Sequence, residues 1–459
     1  MKYVDRVSFY DSVCVDKNLN ELKLMGISLW PLIRKDIYQK MLSSEGNTSK
    51  VNYSNINITV ISRVLISIVF SFFSLLKFVF FQKRVKFLFI GFSRRVEHHG
   101  KWLDKFHDPI INVLEKNDCF MLEKPFKGVH RPERITNCNI LDYDFVKCLI
   151  AILSFPFSKY IEYFHKEELN LCSNIINDSF SKESLITRKY LSKVISKYMI
   201  EVIISKFIFK KLCPEKVILT SRWLHFPFIS VANKNEIEVI EIQHGAILRD
   251  SLFYKPWDDG EFSVTTMFTF SDFWNNYPWG TKRSFPIGEF SLSDIEKKKK
   301  NKYSNNILVI SQPELCKVLC KDLKELSSSN PDVNFIVKLH PQDFDGYQYR
   351  YKEIISISNI QFIKYLEPDL SLASFKMVLG YKSTMLYEAS SMGAKVGLLC
   401  REECDESIYK RAFGPAIDSF SFVYVNKKIK LINENNQMIE FFSRFDSSFL
   451  KVFFYEKNI

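Results

Sequence analysis

The stretch Lys376–Cys400, KMVLGYKSTMLYEASSMGAKVGLLC, contains a whole strand–helix–strand unit. An apolar run breaks at Gly380, the segment 382–384 (KST) then opens a helical pattern, and Gly393 ends that pattern directly before a second apolar run. Short apolar runs joined by a helix are typical of a parallel sheet that is covered on both faces. The stretch therefore predicts an α/β domain with polar groups at the carboxyl end of a strand.

The same alternation extends along the chain in both directions. The other apolar runs predicted as strands are VKFLFIG (from Val85), KVILT (Lys216), VIEIQ (Val239), MFTFS (Met267), NILVIS (Asn306), NFIVKLHP (Asn334) and IQFIK (Ile360). A lysine-rich segment, Glu296–Asn306, separates two series and is typical of a solvated domain boundary. We therefore predict two Rossmann-like, doubly wound domains facing a cleft, at residues 85–295 and 306–459, with an N-terminal helical appendage.

Composition narrows the classes of partner. The chain has 459 residues, 46% of them hydrophobic and 25% charged, which indicates a folded protein with more than one domain. Its net charge of +12 favours anionic partners such as phosphorylated substrates or lipid headgroups. No nucleic-acid recognition motif accompanies this diffuse charge, so we expect no nucleic-acid partner.

The cysteines predict neither a disulfide framework nor a metal site. Ten are scattered along the chain, and the closest pairs, Cys316/Cys320 and Cys400/Cys404, have no histidine nearby and a wider spacing than structural zinc usually takes. The first 20 residues lack the apolar core of a signal peptide. Free thiols in the reducing cytosol, without a metal or cofactor, are the expectation.

The N-terminal region combines a helical segment with an apolar helix. Residues 1–56 are predicted to form a helical unit and a polar linker, and residues 57–84 an apolar amphipathic helix around Val64–Phe81, VLISIVFSFFSLLKFVFF. Its polar exceptions fall on one helical face: Arg63, Ser67, Ser71, Ser74, Lys77 and Arg84. A basic stripe opposite an apolar face is typical of a helix lying in the membrane interface. A buried helix and a membrane-spanning helix remain alternatives.

Two further strand ends carry chemically useful groups. Gln243-His244-Gly245 follows the run VIEI, placing an imidazole suited to acid–base work beside a glycine that allows close approach. Lys338 and His340 share one side of the strand NFIVKLHP, which Pro341 ends, and two such cationic donors suit a phosphate group. Each group alone also fits a structural role, as a hydrogen-bonded core histidine or an exposed lysine.

At the third strand end, Ser383 and Thr384 open a helix. Hydroxyls and backbone N–H groups at a helix N-terminus bind anions, with help from the helix dipole, although Ser and Thr are also ordinary N-caps. Glu388 lies one turn later, where it can accept hydrogen bonds from ribose hydroxyls. Because doubly wound sheets bind ligands beyond the carboxyl ends of their strands, we expect the three strand ends to line one site.

In this order, IQHG, KLHP and KSTMLYEASSMG resemble motifs of bacterial GT-B glycosyltransferases and polyol-phosphate transferases of surface polysaccharide synthesis. These include capsular Kdo transferases, polysialyltransferases and CDP-glycerol glycerophosphotransferases. The resemblance spans residues 215–400 through short motifs and implies a GT-B fold.

Site residues follow from this resemblance position by position. It implies that His340, accompanied by Lys338, contacts the donor phosphate, and that the hydroxyls of Ser383 and Thr384 bind the same phosphate. His244 matches the histidine proposed as the catalytic base of polyol-phosphate transferases. Polysialyltransferases use an acidic residue of the N-terminal domain instead, and Asp104, in KWLDKFHDP, is the candidate for that role.

The hypothesis from the sequence is an inverting, metal-independent transferase that uses a cytidine-nucleotide donor of the CMP-Kdo, CMP-sialic acid or CDP-glycerol type. The donor is a substrate and no cofactor is expected. The expected acceptor is a glycan or a lipid-linked glycan, and the expected location is the cytoplasmic face of the inner membrane, as a peripheral protein. A nucleotide-sugar epimerase of the same two-domain build and a non-catalytic, membrane-attached scaffold of polysaccharide assembly are the alternatives.

Overall fold

The structure is a computed structural model that describes residues 17–43, 58–91, 95–98, 100–123, 134–180, 185–248, 254, 260–277, 279–290, 306–366, 371–427, 429 and 439–456. The lysine-rich boundary predicted at Glu296–Asn306 lies outside these residues except for Asn306 itself.

Strands and helices alternate along most of the described chain. The strands are β1 (Lys23–Leu24), β2 (Ile27–Ser28), β3 (Phe87–Ile90), β4 (Val96–His98), β5 (Lys101–Leu103), β6 (Cys119–Glu123), β7 (Asn139–Asp142), β8 (Lys216–Thr220), β9 (Glu238–Ile242), β10 (Val264–Thr269), β11 (Thr281–Pro286), β12 (Asn306–Ile310), β13 (Asn334–Lys338), β14 (Ile360–Ile363), β15 (Met377–Gly380), β16 (Val396–Cys400) and β17 (Ser421–Tyr424). The α-helices are α1 (Lys17–Asn20), α2 (Leu29–Ser43), α3 (Ile58–Phe81), α4 (Asp108–Ile111), α5 (Asp144–Phe164), α6 (Lys166–Ser179), α7 (Arg188–Leu212), α8 (Phe226–Lys234), α9 (Asp272–Asn275), α10 (Cys316–Ser329), α11 (Tyr347–Arg350), α12 (Thr384–Ser391), α13 (Glu403–Phe413) and α14 (Ser447–Tyr455).

Two parallel sheets organise these elements. The first has the order β11-β10-β9-β8-β3-β6-β7 and the second β14-β13-β12-β15-β16-β17, and neighbouring strands pair in parallel throughout both. Each sheet starts at an inner strand, builds outward on one side and then reverses, which is the doubly wound order with a switch point beside its first strand. The predicted fold class, two Rossmann-like domains facing a cleft, is confirmed.

The two faces of the first sheet have different coverings. Leu88 and Ile90 point into a core shared with α3, α5, α7 and α8. Phe87 and Phe89 point the other way, into a core that continues into the second domain. The alternation follows from the pleat of the strand, and it places a helical layer and the second domain on opposite sides of the first sheet.

The N-terminal unit extends that helical layer. Trp30 and Ile33 of α2 are buried against Ile161 of α5 and Ile195 of α7. The predicted helical appendage is therefore attached to the first domain.

Helix α3 docks through its serines, whereas its apolar side faces outward. Ser71 Oγ accepts a hydrogen bond from the Phe145 N–H (2.7 Å) and Ser74 Oγ accepts one from the Asp142 N–H (3.1 Å). The serines of the predicted polar face therefore point toward the protein, where these hydroxyls satisfy the N–H groups of β7 and the start of α5. Within α3, Val64–Phe81 is long and apolar enough to cross a membrane, and 17% of it is buried.

The chain returns to the first domain after completing the second. Residues 439–446 run along the ends of β10 and β11, where the Ser443 N–H donates to the Phe270 carbonyl oxygen (2.8 Å). Gly288 has φ +78°, and a Cβ at this position would lie 2.1 Å from the Arg444 carbonyl oxygen. The crossing segment therefore requires glycine at this point.

Helix α14 then packs on the first sheet. The Phe454 ring lies 5.0 Å from Phe87 and the Phe453 ring 5.1 Å from Phe268, measured between ring centroids in edge-on arrangements. The predicted range 306–459 thus includes a helix that contributes to the core of the first domain.

Candidate active site

The carboxyl ends of strands from both sheets face one cleft, whose volume is about 480 Å³. Seven of the residues singled out from the sequence line it: His244, Lys338, His340, Pro341, Ser383, Thr384 and Glu388. The structure therefore brings the three predicted strand ends together. On the second domain they lie beside the switch point between β12 and β15.

His340 presents a donor to the cleft. It follows β13, and its Nδ1 accepts a hydrogen bond from the Gln342 N–H (3.2 Å), so the neutral imidazole carries its hydrogen on Nε2. The backbone N–H of His340 donates to Ser311 Oγ (2.8 Å) at the end of the neighbouring strand. Pro341 opens the short 3₁₀ turn that follows and fixes this geometry. Ser311, which the sequence did not single out, positions the histidine and also lines the cleft.

The N-terminus of α12 supplies the second group of donors. Ser383 is the N-cap, and its Oγ accepts from the Met385 N–H (3.3 Å), which leaves its hydroxyl hydrogen to donate elsewhere. The preceding Lys382 N–H donates to Gln312 Oε1 (3.0 Å), and the Lys382 side chain lines the cleft. Together with Lys338, these groups form a site for an anion.

Thr384 joins the two domains. Its Oγ1 accepts a hydrogen bond from the Ala246 N–H (3.1 Å) of the first domain. A Cβ at Gly245 would lie 2.9 Å from the same oxygen, so the glycine permits this approach. The hydroxyl assigned to phosphate binding from the sequence is therefore also a contact across the cleft.

Gln243 holds the loop that carries His244. The side chain is fully buried. Its Oε1 accepts from the Phe270 N–H (2.9 Å) and its Nε2 donates to the Gly245 carbonyl oxygen (3.1 Å). Gln243 therefore connects the end of β9 to the end of β10 and fixes the turn in which the imidazole lies.

Both ring nitrogens of His244 contact hydroxyl groups. The Tyr254 hydroxyl donates to Glu241 Oε1 (3.0 Å), so its oxygen accepts from His244 Nδ1–H (3.3 Å). Nε2 then carries the lone pair and lies 3.3 Å from Ser221 Oγ. Burial, the largest effect, lowers the pKa of His244 to about 4; Glu241 opposes this change and Lys105 adds to it. His244 is consequently a neutral imidazole at neutral pH.

A buried ion pair between Arg222 and Glu241 holds the last acceptor of this chain of hydrogen bonds. Arg222 Nε donates to Glu241 Oε2, and the Arg222 N–H donates to Glu241 Oε1 (3.0 Å). Both side chains are at most 3% exposed. The pairing offsets the cost of burying the Glu241 carboxylate, which also accepts the hydrogen bond from Tyr254.

Ser221 has a strained backbone. It follows β8 in the left-handed region, with φ +60° and ψ +64°, which costs a residue other than glycine about 1–2 kcal/mol. This conformation lets the chain turn sharply at the strand end and places the hydroxyl against His244.

Asp104 does not line the cleft. Its fully buried carboxylate accepts from the N–H groups of Phe106 and His107 and contacts His107 Nδ1 (2.8 Å). Burial opposes its charge, but His107 and then Arg95 outweigh that effect and hold the pKa of Asp104 below its usual range. The structure thus gives Asp104 a structural position at the turn after β5, because its oxygens satisfy that turn.

Its neighbour Lys105 faces the cleft instead. The Lys105 side chain lines the same wall as His244, with Nζ 3.7 Å from Glu289 Oε1. No strand pattern in the sequence points to Lys105, because it lies in the turn after β5.

The remaining predicted positions have simple roles. Glu388 lines the cleft one turn into α12. Gly380 lies outside the cleft lining, and a Cβ there would meet Leu386 Cδ2 at 3.3 Å, so the glycine serves the packing of α12 on β15. Among the described residues, no group of three or more His, Cys, Asp or Glu side chains is placed to hold a metal ion. Cys316 and Cys320 are buried beside the Arg350 carbonyl oxygen.

No protein-family model matches the chain, and no curated protein matches it. Solved structures with a similar fold include the UDP-GlcNAc 2-epimerase of Methanocaldococcus jannaschii in complex with UDP-GlcNAc and UDP, with 12% identity, a TM-score of 0.42, and coverage of 79% of this chain and 96% of that one. The UDP-GlcNAc 2-epimerase of Neisseria meningitidis bound to UDP-GlcNAc shows 14% identity, a TM-score of 0.40, and coverage of 74% and 88%. The glycosyltransferase SnogD of Streptomyces nogalater shows 12% identity, a TM-score of 0.39, and coverage of 74% and 88%. At these identities the likeness concerns the fold alone.

Proposed function

We propose that this protein is a transferase that moves a sugar or polyol-phosphate group from a nucleotide-activated donor to an acceptor hydroxyl. One observation carries the proposal. A neutral imidazole on the first domain and a group of hydrogen-bond donors that can bind phosphate on the second domain line the same cleft. Nucleophile activation and leaving-group stabilisation need these two kinds of group on opposite sides of the reacting atoms.

The second domain would hold the donor phosphate. His340 Nε2–H, the Ser383 hydroxyl, the Lys338 ammonium and the N–H groups that open α12 are positioned donors for an anion. Negative charge accumulates on the phosphate as its bond to the transferred group breaks. Donors that are already oriented stabilise that charge without reorganisation, which is usually the largest catalytic effect.

The first domain would activate the acceptor. His244 Nε2 takes the proton of the acceptor hydroxyl while the acceptor oxygen bonds to the transferred group and the nucleotide leaves with the bonding electrons. The imidazolium so formed donates through Nδ1–H to Tyr254, which in turn donates to the Glu241 carboxylate. This arrangement favours one tautomer and stabilises the transient positive charge.

The finer identity of the substrates follows from the motif resemblance. Cytidine-activated donors (CMP-Kdo, CMP-sialic acid or CDP-glycerol) and a glycan or lipid-linked acceptor of a surface polysaccharide are the substrates we propose. The expected location is the cytoplasmic side of the inner membrane.

A second candidate is epimerisation of a nucleotide sugar in the same cleft. The cleft volume of about 480 Å³ is enough for one small ligand, and an epimerase needs no second substrate. In that case UDP-GlcNAc would be converted without an added acceptor, and His244 would act on the sugar itself.

A nucleotide screen tests the proposal. CMP, CDP, UDP and GDP are compared by thermal shift on the wild-type chain and on His340→Ala, since a ligand that binds only the folded state raises its melting temperature. We expect one nucleotide to stabilise the wild type and to lose most of its effect on His340→Ala. Product analysis by NMR with CMP-Kdo, CMP-sialic acid, CDP-glycerol and UDP-GlcNAc then separates transfer from epimerisation.

Three results would overturn the assignment. If the bound nucleotide stabilises His340→Ala as strongly as the wild type, the phosphate site is elsewhere. If UDP-GlcNAc alone is epimerised and no donor is transferred, the second candidate replaces the first. Activity that survives substitution of both His244 and His340 in a polysaccharide complementation assay would indicate the scaffold alternative.

A further inference from the structure

We propose that α3, α5 and α7 form a membrane-binding face that attaches the protein to a bilayer with anionic headgroups. The membrane-binding face is defined by outward apolar side chains, which are represented by Val69, Phe70 and Phe73 on α3 and by Ile152, Phe155 and Phe164 on α5. Each of these six side chains is at least 56% exposed. The proposal concerns a surface separate from the cleft and does not depend on the proposed function.

The three helices lie side by side. The Phe72 ring of α3 is 5.0 Å from the Phe145 ring of α5, and the Phe78 ring of α3 is 6.4 Å from the Phe207 ring of α7. Helix α5 packs on both α3 and α7. Their exposed apolar side chains therefore belong to one connected layer, which is larger than the single helix recognised from the sequence.

Helix α3 packs on the protein through its polar side, the side that an amphipathic helix of a water-soluble protein normally exposes. Its serines face the protein, where Ser71 and Ser74 accept hydrogen bonds from backbone N–H groups, and most of its large apolar side chains, Phe78 excepted, face away. A helix on a water-soluble surface normally buries its apolar side. The arrangement of α3 therefore fits a helix whose outer side contacts lipid.

Charge selects lipid over a second copy of the chain. Ile58–Phe81 contains no acidic residue, and Lys77, Lys83 and Arg84 are exposed on and just after α3. Helix α7 adds exposed lysines, including Lys206 and Lys210, and its single glutamate, Glu201, pairs with Lys197. Two copies meeting through this face would bring like charges together, whereas anionic headgroups would neutralise them.

The helix lies along the membrane rather than across it. Its serine side is fixed to β7 and α5 by the two hydrogen bonds, so a spanning orientation would carry the folded domain into the hydrocarbon. Tyr160 and Tyr163 of α5, which are 51% and 78% exposed, are amphipathic side chains of the kind found at the level of the headgroups. The face thus fits the membrane interface.

Vesicle cosedimentation with the full chain tests the inference. Phosphatidylcholine vesicles are compared with vesicles that also contain phosphatidylglycerol. The double variants are Phe70→Ser/Phe73→Ser on α3 and Phe155→Ser/Phe164→Ser on α5. The matched control is Tyr349→Ser/Tyr365→Ser, because both tyrosines are 74% exposed and lie on the second domain.

We expect the wild type and the control to bind the anionic vesicles, and each helix variant to bind about tenfold or more weakly, since two phenylalanine contacts with the bilayer are lost. Lys83→Glu/Arg84→Glu keeps the apolar face and should weaken binding to the anionic vesicles only. Circular dichroism checks that each variant is folded. Nucleotide thermal shifts should be unchanged in all of them, which separates failure of this inference from failure of the proposed function.

Three outcomes would overturn the inference. Wild-type protein that stays in the supernatant with anionic vesicles does not bind a membrane through this face. Unchanged binding by the α5 variant removes that helix from the face. A dimer in sedimentation equilibrium that both helix variants dissociate would show that the face binds a second copy of the chain.

Discussion

Two histidines on opposite sides of one cleft differ in the hydrogen-bond partners that the fold gives them. His244 lies in a loop with both ring nitrogens against hydroxyl groups, and burial lowers its pKa to about 4. His340 Nδ1 accepts a hydrogen bond from the Gln342 N–H, so Nε2–H is the donor that faces the cleft. The same residue type at the end of a strand therefore becomes a neutral acceptor on one domain and a donor on the other, and the difference arises from neighbouring groups rather than from sequence position.

Substituting His244 tests this comparison most strongly. We expect His244→Ala to lower kcat by about 10²–10⁴-fold, the usual contribution of a general base, while donor affinity stays near the wild-type value. Steady-state kinetics and calorimetric titration of the donor nucleotide measure the two quantities. His165→Ala, at a partly exposed histidine between α5 and α6, is the control and should change neither. Equal losses of turnover and affinity would make His244 a binding residue.

The hydrogen bond across the cleft, from the Ala246 N–H to Thr384 Oγ1, can be broken by substituting Gly245. Gly245→Ala introduces a Cβ 2.9 Å from Thr384 Oγ1 and should remove the hydrogen bond from the Ala246 N–H. The loss of one such bond is worth about 1 kcal/mol, or about fivefold in kcat/KM. A double-mutant cycle with Thr384→Ala supplies the control, since the alanine at 245 should cost less once the hydroxyl is absent. Additive effects would show that the contact does not matter to function.

The smallest expected effect is on pH dependence. His244 accepts a proton only while it is neutral, so activity should fall as the pH decreases through about 4 rather than through the ordinary value of 6.5. Lys105 contributes to lowering this pKa, and Lys105→Met should therefore move the acidic limb of the kcat/KM profile to higher pH. The exposed Lys395, changed to Met, is the control. An unchanged limb in Lys105→Met would exclude His244 as the titrating base.

The sequence predicted most of what depends on local pattern. Continuous apolar runs identified nine strands of the two sheets, and strand-end residues identified the polar lining of the cleft, because both depend on spacing along the chain. Strands β6, β7, β11 and β17 were missed, since their apolar runs are brief or are interrupted by polar and charged residues. Whether the lining residues play the proposed roles stays a prediction.

Contacts between distant segments could not be read from local pattern. Asp104 was selected as an acid near a strand, but only the folded turn shows that its carboxylate is enclosed and that Lys105 faces the cleft. The support of His244 by Tyr254 and Glu241 joins a strand to a residue ten positions beyond the histidine. The serines of α3 looked like part of a polar stripe until their backbone partners at positions 142 and 145 were known.

The return of the chain to the first domain has a consequence for biosynthesis. The side chains of Phe87 and Phe268 are covered by α14, which is synthesised well after the strands of the first sheet. At about 5–20 residues per second, the ribosome finishes this helix roughly ten seconds or more after it has completed β11. During that interval the first sheet exposes an aromatic surface that α14 later covers. A nascent chain that has not yet reached α14 is therefore expected to need chaperones, and a chain that ends before α14 would leave the core of its first domain open.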